Sequence, residues 1–299
     1  LLIWPNFLLV FIPFLLFSQV LETQLLDAIN PNGEHIKYLS VNSIPYTGKV
    51  YNYFDNNVRE LVGHYEKGLK TDQWIWWHPN GIINKSGFFK NSKEDSLWQW
   101  WHVNGNLKMR GNYKNSIKQG RWNEWNDEGV LISSSSYLNG TLNGKCVSRY
   151  SNGKKSSEIS YINGKKNGLE KFWKDSGLPK YEINWKDGKK NGRYIKWNDL
   201  GLIIQEYNYF NDKLHGSYVE YYNDGIQSIS GEYRLGIKSG QWVWKYKDGV
   251  ISLNGKYFNG DPVGSWLWIR SNRNEIVNLD SPDLEWVRKR IKDWEEVNN

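Results

Sequence analysis

Residues 255–266 read GKYFNGDPVGSW, and residues 231–242, which begin 24 positions earlier, read GEYRLGIKSGQW. Both segments place Gly, Tyr, Gly, Gly and Trp at the same spacing. The pattern runs through the chain with a period of 24 residues and without an insertion or deletion. A period of this length is typical of stacked repeat architectures, in which each repeat packs on its neighbours along the chain.

Three columns of residues define the repeat when Gly48 and every 24th residue after it are numbered position 0. Position 0 is glycine except at Asp72 and Ser96, and position 9 is glycine except at Asn57 in the first repeat. Position 17 is aromatic in all nine full repeats. These aromatic residues are Tyr65, Phe89, Tyr113, Tyr137, Tyr161, Trp185, Tyr209, Tyr233 and Tyr257.

The glycines predict the structure of each repeat, because many of them directly follow Asn or Asp, as in Asn80-Gly81 and Asp224-Gly225. Such pairs adopt the positive φ angles of tight hairpin turns, and runs rich in Trp, Tyr, Ile and Val flank them. Each repeat is therefore predicted to form two short strands, with one turn near position 9 and another between positions 20 and 24. The predicted fold is all-β: a tandem β-hairpin array that forms a single-layer antiparallel meander.

The composition agrees with this fold. The 299 residues include 18 Trp, 19 Tyr, 10 Phe and 28 Gly, but only one Met and one Cys. An excess of aromatic and turn-forming residues argues against a helical bundle and against a doubly wound α/β enzyme. A single cysteine, Cys146, can form neither an intrachain disulfide nor a CxxC metal site.

The G-x-Y-x-x-G-x-x-x-G-x-W spacing resembles the MORN repeat, and the 24-residue period with Asn-Gly turns is most similar to the bacterial MORN-variant repeats. The resemblance covers about residues 48–270. It implies a single-layer β-hairpin rod used for binding or scaffolding, without intrinsic catalysis. Many bacterial relatives are labelled antitoxins of toxin–antitoxin pairs, whereas eukaryotic relatives are linked to membrane attachment and protein assembly. This chain lacks the second glycine of the eukaryotic opening G-x-G.

The first 17 residues are uncharged and almost entirely apolar. They are interpreted as a secretory signal, domain 1–18, with cleavage near Ser18. The alternative is an uncleaved membrane anchor over residues 1–17, which is at the short limit for a spanning helix. Either interpretation predicts an exported protein in the periplasm, in the cell envelope or outside the cell.

The array, residues 48–271, is predicted to lie between two caps, because an open sheet edge invites aggregation. Residues 19–47 form the N-terminal cap, in which Glu34–Val41 is expected to add a first strand. Residues 272–299 form the C-terminal cap, with a helix over residues 282–297 that could instead bind a partner or a membrane surface. The apolar stripe of this helix consists of Leu284, Val287, Ile291 and Trp294.

The search for catalytic, cofactor or metal sites yields none. His78 and His102 occupy the same position in adjacent repeats, which places them about 10 Å apart, too far to share a zinc ion. Cys146 replaces the Trp or Tyr of position 2 and is interpreted as a small core residue. A non-enzymatic protein without a cofactor is expected, and nucleic acid is not an expected partner.

The net charge of +7 is confined to two repeats, residues 144–191, which hold 12 Lys or Arg against 5 Asp or Glu. Within them, two lysine pairs at positions 21 and 22 are predicted to lie on one edge of the array about 10 Å apart, and three further lysines nearby in sequence complete a candidate patch of seven. The patch could dock on anionic lipid headgroups, an anionic glycan or an acidic protein. The alternative is a solvated edge without a partner. The seven residues are Lys145, Lys154, Lys155, Lys165, Lys166, Lys189 and Lys190.

Aromatic residues recur at positions 2 and 5, as core columns do, whereas position 4 varies between aromatic and polar residues. Variation is typical of exposed positions, so four tryptophans of position 4 are candidate aromatic contacts. Alternatively, they pack on neighbouring repeats or beneath the caps. The four are Trp76, Trp100, Trp244 and Trp268.

Three functions are compatible with the sequence. The favoured one is a non-catalytic scaffold that mediates protein–protein or envelope-surface interaction, with a protein as the expected partner. A cell-wall or polysaccharide binding module is the second, because Trp-rich hairpin repeats can stack exposed rings on sugars. The third is an antitoxin-like protein that binds and neutralises a partner toxin.

Overall fold

The computed structural model describes residues 19–39, 44–272 and 275–298. The predicted secretory signal lies outside these described residues. The predicted fold class is confirmed: consecutive antiparallel hairpins are followed by one C-terminal helix. The chain divides into two compact units, the first ending at Ile117 and the second beginning at Lys118.

The first unit contains a meander of six strands with an N-terminal hairpin beside it. In the meander, each strand from β4 to β9 pairs antiparallel with the next. Strand β1 pairs in parallel with β4, and β2 pairs only with β3 among the described residues. The strands are β1 (Gln19–Leu21), β2 (Leu25–Ile29), β3 (His35–Leu39), β4 (Gly48–Tyr53), β5 (Arg59–Glu66), β6 (Leu69–Trp77), β7 (Ile83–Lys90), β8 (Lys93–Trp101) and β9 (Leu107–Lys114).

The second unit continues the same hairpin pattern in its own meander and ends in helix α1 (Leu284–Asn298). Two of its strands are interrupted, so that the short strands β12 and β15 precede β13 and β16. The strands are β10 (Ile117–Trp125), β11 (Leu131–Leu138), β12 (Thr141–Leu142), β13 (Gly144–Arg149), β14 (Lys155–Ile162), β15 (Lys165–Lys166), β16 (Gly168–Trp173), β17 (Pro179–Lys186), β18 (Lys189–Trp197), β19 (Ile203–Phe210), β20 (Lys213–Tyr221), β21 (Gln227–Arg234), β22 (Ile237–Lys245), β23 (Ile251–Phe258), β24 (Asp261–Ile269) and β25 (Ile276–Asp280).

The second turn of each repeat lies at positions 19 and 20, slightly earlier than predicted. Asn139 and Gly140 have φ angles of 49° and 78°, as a type I′ turn requires. The glycine at position 0 instead occupies a bulge in the following strand: Tyr209 pairs with Leu214, but Tyr207 pairs with Tyr218. Extra residues on one strand re-aim the side chains that follow.

The bulge brings the tryptophan of position 2 against a glycine at position 15 of the preceding strand. A Cβ atom on Gly87 would lie 2.0 Å from the Trp98 ring, so no larger residue fits there without movement. Where position 15 carries a large side chain, as at Ile183, position 2 of the next repeat is a smaller residue, here Tyr194. Positions 2 and 15 therefore share one packing space.

Hydrogen bonds between successive repeats join both ends of the hairpins. At the type I′ turns, the Gly188 N–H donates to the Lys166 carbonyl at 2.8 Å. At the other end, the Tyr150 hydroxyl donates to the Trp173 carbonyl at 2.7 Å. Because such bonds recur every 24 residues within each unit, backbone hydrogen bonds as well as ring contacts fix a hairpin to its neighbour there.

The N-terminal segment covers the start of the array, but not in the way that the sequence predicts. The predicted strand over Glu34–Val41 is present as β3 over residues 35–39, but it pairs with β2 in a separate hairpin and does not extend the meander; residues 40 and 41 lie outside the described part. Strand β1 extends the sheet instead. Leu25 and Tyr46 are buried against Val50 in the same core cluster.

Helix α1 lies over the last hairpins, close to its predicted span. Asp283 caps it, because the Asp283 carboxylate accepts the Trp286 N–H at 2.7 Å. Val287 and Trp294 are buried, and Leu284 and Ile291 pack against the same cluster, which confirms the predicted stripe. The core of this end consists of β-strand tryptophans beneath the helix.

Candidate functional site

The strand register separates two faces of each meander. Trp74 pairs with Gly87 and Trp76 with Lys85, so positions 2, 4, 13 and 15 share one face. The rings of position 17 contact this face as well, since Tyr65 lies 5.2 Å from Trp74. We call it the aromatic face and the other one the opposite face.

Two of the four candidate aromatic contacts are buried, so the hypothesis that they are exposed is wrong. Trp244 is 1% exposed and Trp268 is 4% exposed. Helix α1 covers them, with the Arg290 guanidinium 4.0 Å from the Trp268 ring centroid. The alternative interpretation, packing beneath a cap, holds for both residues.

Trp76 and Trp100 in the first unit remain partly exposed. The Trp76 ring stacks on Trp74 at 5.6 Å and on Trp98 at 6.0 Å, and the Lys85 ammonium lies 4.4 Å from it. These rings are packed on their neighbours at the surface of the aromatic face. Their role in binding stays a prediction.

The seven predicted patch lysines do not share one surface, because neighbouring strand residues point to different faces. Lys165 and Lys189 are exposed on the opposite face. Lys166 lies over the Trp185 ring at 4.6 Å, and Lys190 lies over Tyr209 at 4.9 Å, both on the aromatic face. The two lysine pairs therefore lie along the same turn edge, but their side chains are divided between its two faces.

Ion pairs engage further patch residues. Lys145 and Lys155 both contact Glu158, at 2.5 and 2.7 Å. Burial raises the pKa of the Glu158 carboxyl, but the two lysines outweigh burial and hold this pKa below its usual range. Lys166 pairs with buried Glu170 at 2.5 Å. The Trp185 indole N–H donates to Glu170 at 2.7 Å. Glu170 replaces the tryptophan of position 2 and forms a satisfied polar core.

Lys154 is exposed at the other end of the hairpins, and its ammonium donates to the Ser176 carbonyl at 2.8 Å. It lies in the loop before β14, whereas Lys165 and Lys189 lie beside the type I′ turns. The seven lysines are thus divided between ion pairs, ring contacts and two ends of the hairpins.

A different row of residues forms along the type I′ turns of the second unit, on the opposite face. Positions 18 and 21 pair across each turn there, as Phe210 does with Lys213. We call this surface the edge row. Its exposed apolar members are Leu138 (51%), Ile162 (53%), Phe210 (47%), Ile237 (49%) and Phe258 (64%). Its exposed basic members are Lys165, Lys186, Lys189, Lys213 and Arg234.

Among the described residues, no basic member of the edge row has an ion-pair partner. Asp187, Asp212 and Asp261 also lie near these turns and are exposed. The edge row is therefore amphipathic and carries a modest positive excess. The sequence prediction located two of its lysines and missed its apolar members.

A second surface of this unit is a ladder of stacked rings on the aromatic face, which sequence reasoning missed. We call it the Tyr ladder. Each of its rings is partly exposed, and neighbouring rings are nearly parallel, with interplanar angles of 17–24°. Its centroid distances are 4.4 Å for Phe172–Tyr181, 6.1 Å for Tyr181–Tyr194, 4.6 Å for Tyr194–Tyr207 and 5.2 Å for Tyr207–Tyr218.

The hydroxyl groups of the Tyr ladder stay protonated at neutral pH. Burial raises the pKa of Tyr194 and of Tyr207, and the neighbouring Tyr209 raises both further. Burial and a hydrogen bond to Glu220 raise the pKa of Tyr218. The ladder therefore presents ring edges and neutral hydroxyls, which suit a partly apolar partner.

The surface depression beside α1 and the side chain of His78 both engage neighbouring residues. The depression beside α1 has a volume of about 440 Å³, and its Arg270 and Arg290 are paired with Glu275 and Asp293. His78 contacts the Trp101 carbonyl at 3.1 Å in a repeat-to-repeat hydrogen bond. Within residues 19–39, 44–272 and 275–298, no cluster of three or more His, Cys, Asp or Glu could hold a metal ion.

No helix in the described ranges has both the length and the apolar character that crossing a bilayer requires.

Cys146 is a free, partly exposed thiol, and its residue pairs with Ile159 across the strands. Taken together, the hairpin repeats, the capped ends and the two surfaces place the chain in the class of tandem β-hairpin repeat proteins.

No protein-family model matches the chain, and no curated protein matches it. The chain is similar to the structure titled "Crystal Structure of TcdB2-TccC3-Cdc42" over 85% of its own length and 16% of that chain, with 9% identity and a TM-score of 0.18. It is also similar to a porin-like protein from Bacteroides uniformis ATCC 8492 over 77% of its length and 93% of that chain, with 7% identity and a TM-score of 0.16. Scores this low say nothing about function.

Proposed function

We propose that the protein is a non-catalytic repeat scaffold of the MORN-variant type that binds a protein partner. The observation that supports this most is the Tyr ladder, a run of partly exposed rings on the face that α1 covers at the C-terminal end of the same unit. Aromatic residues are enriched at protein interfaces because they combine a large apolar area with a polar tip. The resemblance to MORN-variant repeats favours the same function.

The geometry of the ladder favours a protein over a polysaccharide. A sugar stacks on the face of an aromatic ring, but the ladder faces contact each other at 4.4–6.1 Å. No sugar ring fits between them, so a glycan could contact only ring edges. A protein partner can use those edges through aliphatic side chains and the hydroxyls through hydrogen bonds.

Affinity purification of the tagged protein from its own cells tests this function. The wild-type protein should retain a specific partner that the Tyr194→Ala/Tyr207→Ala variant loses. An Arg193→Ala/Lys213→Ala variant, altered only on the opposite face, should retain it. Equal retention by all three proteins would argue against the ladder, and a captured toxin would support the antitoxin-like alternative.

The edge row supports a second candidate function, docking on an anionic envelope surface. Exposed Phe210 and Phe258 could enter a lipid interface, and the unpaired cations beside them would meet the headgroups. Two weak signals of this kind, apolar insertion and charge attraction, together give stable surface binding. The acidic residues near the turns reduce the electrostatic attraction between the edge row and anionic headgroups.

Vesicle co-sedimentation tests the second candidate. Binding to phosphatidylglycerol vesicles should exceed binding to phosphatidylcholine vesicles and should fall with added salt. Phe210→Ser/Phe258→Ser and Lys165→Gln/Lys189→Gln variants should each weaken it, whereas Lys145→Gln, at an existing ion pair, should not. Vesicle binding that none of these changes affects would contradict docking through the edge row.

A further inference from the structure

We propose that the Tyr ladder binds an amphipathic α-helix of the protein partner, an inference that rests on the proposed function. Helix α1 is already seated on the aromatic face of this unit. Val287 of α1 is fully buried there, in one cluster with Trp244 and Trp268. The chain itself therefore demonstrates how this face receives a helix.

The contacts of α1 define what such a helix needs. Apolar side chains at helical spacing contact the rings, and the Trp294 indole N–H donates to the Lys245 carbonyl at 2.9 Å. Arg290 lies over the ring of Trp268, which is a position 4 residue. At its C-terminal end, Asn298 contacts the Tyr222 hydroxyl at 2.9 Å, so α1 ends beside the strand that carries Tyr218.

The Tyr ladder continues the same columns beyond the end of α1. Its rings occupy positions 2, 4, 13 and 15 on five consecutive strands, β16 to β20. Five strands span about 19 Å between the first and the last. A helix of that length has about 13 residues, since each residue adds 1.5 Å. This is close to the 15 residues of α1.

Charge distinguishes the expected helix from α1. Position 4 of the ladder region carries exposed Lys196 and partly exposed Glu220, which accepts a hydrogen bond from Tyr218, whereas the same position beneath α1 carries Trp268 under Arg290. A carboxylate on the partner helix, rather than an arginine, would therefore meet Lys196. The expected partner segment has apolar residues three and four apart, with Asp or Glu beside the stripe.

In-cell photo-cross-linking identifies the bound segment directly. A photoreactive phenylalanine analogue replaces Lys196, and in the control protein it replaces Arg193, which is exposed on the opposite face. Both sites are exposed, so the replacements should leave folding intact. The Lys196 site should cross-link to a partner peptide with helical apolar spacing, and the Arg193 site should not yield that product.

The cross-linked segment is then synthesised and titrated against the purified full chain. The helical circular dichroism of the peptide should increase on binding, and Tyr194→Ala/Tyr207→Ala should lower the affinity at least tenfold. A cross-linked segment with alternating apolar residues, or one that binds without gaining helix, would overturn the helix proposal while leaving the scaffold function intact. Cross-links from Arg193 only, or a glycan adduct at Lys196, would overturn both.

Discussion

The tryptophans of position 2 are held at a place where glycine leaves room for them. Gly63, Gly87, Gly231 and Gly255 each face such a ring, and a Cβ atom on any of them would lie 1.9–2.2 Å from it. These glycines lack the positive φ angles of the turn glycines. Their function is therefore steric, and the indole ring is the other half of the contact.

Gly87→Ala should destabilise the first unit by about 1–3 kcal/mol, because the new methyl group overpacks the site of Trp98. The cost should shrink when Trp98 is also replaced by leucine. Urea denaturation of the two single variants and the double variant measures this coupling. Ser135→Ala, at the same repeat position opposite the small Cys146, is the control and should change stability by less than about 0.5 kcal/mol. Additive effects at Gly87 and Trp98 would contradict the shared packing space.

Lys238 is a partly buried lysine on the aromatic face, close to α1. Its ammonium lies 4.4 Å from the Trp242 ring, and burial lowers its pKa from 10.5 to about 8, with Glu295 opposing the shift. Between these two values the unfolded chain holds a proton that the folded protein has lost. Raising the pH from 8 to about 9.5 should therefore stabilise the fold.

Urea unfolding midpoints across this pH range measure this gain in stability. The Lys238→Met variant should show a smaller increase of the midpoint with pH. The range stops below the ordinary tyrosine pKa of 10.0, because the raised pKa of about 12 at Tyr257 acts in the other direction. Lys70, whose pKa burial also lowers, contributes equally to both proteins and cancels in the comparison. A parallel pH dependence in wild type and variant would contradict the assignment to Lys238.

Within each unit, the described hairpins are one repeat long and bond to the hairpins before and after them. The strand content, the turn near position 9 and the C-terminal helix could be predicted from the sequence, because Asn-Gly pairs and apolar spacing are local signals. The face of each turn lysine could not, since alternation alone assigns Lys165 and Lys166 no particular face. The register of the type I′ turn decides it: Tyr161 pairs with Lys166, which therefore lies over Trp185 on the aromatic face, and Ile162 pairs with Lys165, which is exposed on the opposite face.

Helix α1 should be separable from the array by one substitution. Val287 is completely buried, so Val287→Asp should detach α1 and expose Trp244 and Trp268 to water. Tryptophan emission should shift to the red, and amide exchange should rise in β22 to β25 while β16 to β19 keep their protection. Lys289→Asp, at an exposed site of the same helix, should change neither readout. Loss of protection throughout the second unit would contradict this local role.

The second unit combines two surfaces that the repeat would not by itself require. One is the Tyr ladder, and a column comparison of positions 2 and 15 could have found it, because Ile183 and Tyr207 replace glycine where Tyr194 and Tyr218 replace tryptophan. The other is the edge row, where exposed Phe210 alternates with lysine. The charge count located the two repeats with an excess of lysines, but it could not distinguish lysines that form ion pairs from lysines that do not.

Hydroxyl-radical footprinting of the complex purified from the protein's own cells tests the scaffold function most directly. Partly exposed rings are oxidised in the free protein, and a bound partner shields those that it covers. Oxidation of Phe172, Tyr194 and Tyr207 should fall in the complex, while Phe210 and Phe258 keep their rates. Unchanged oxidation of the Tyr ladder, with protection only along the edge row, would contradict the account and would leave surface docking as the function of this array.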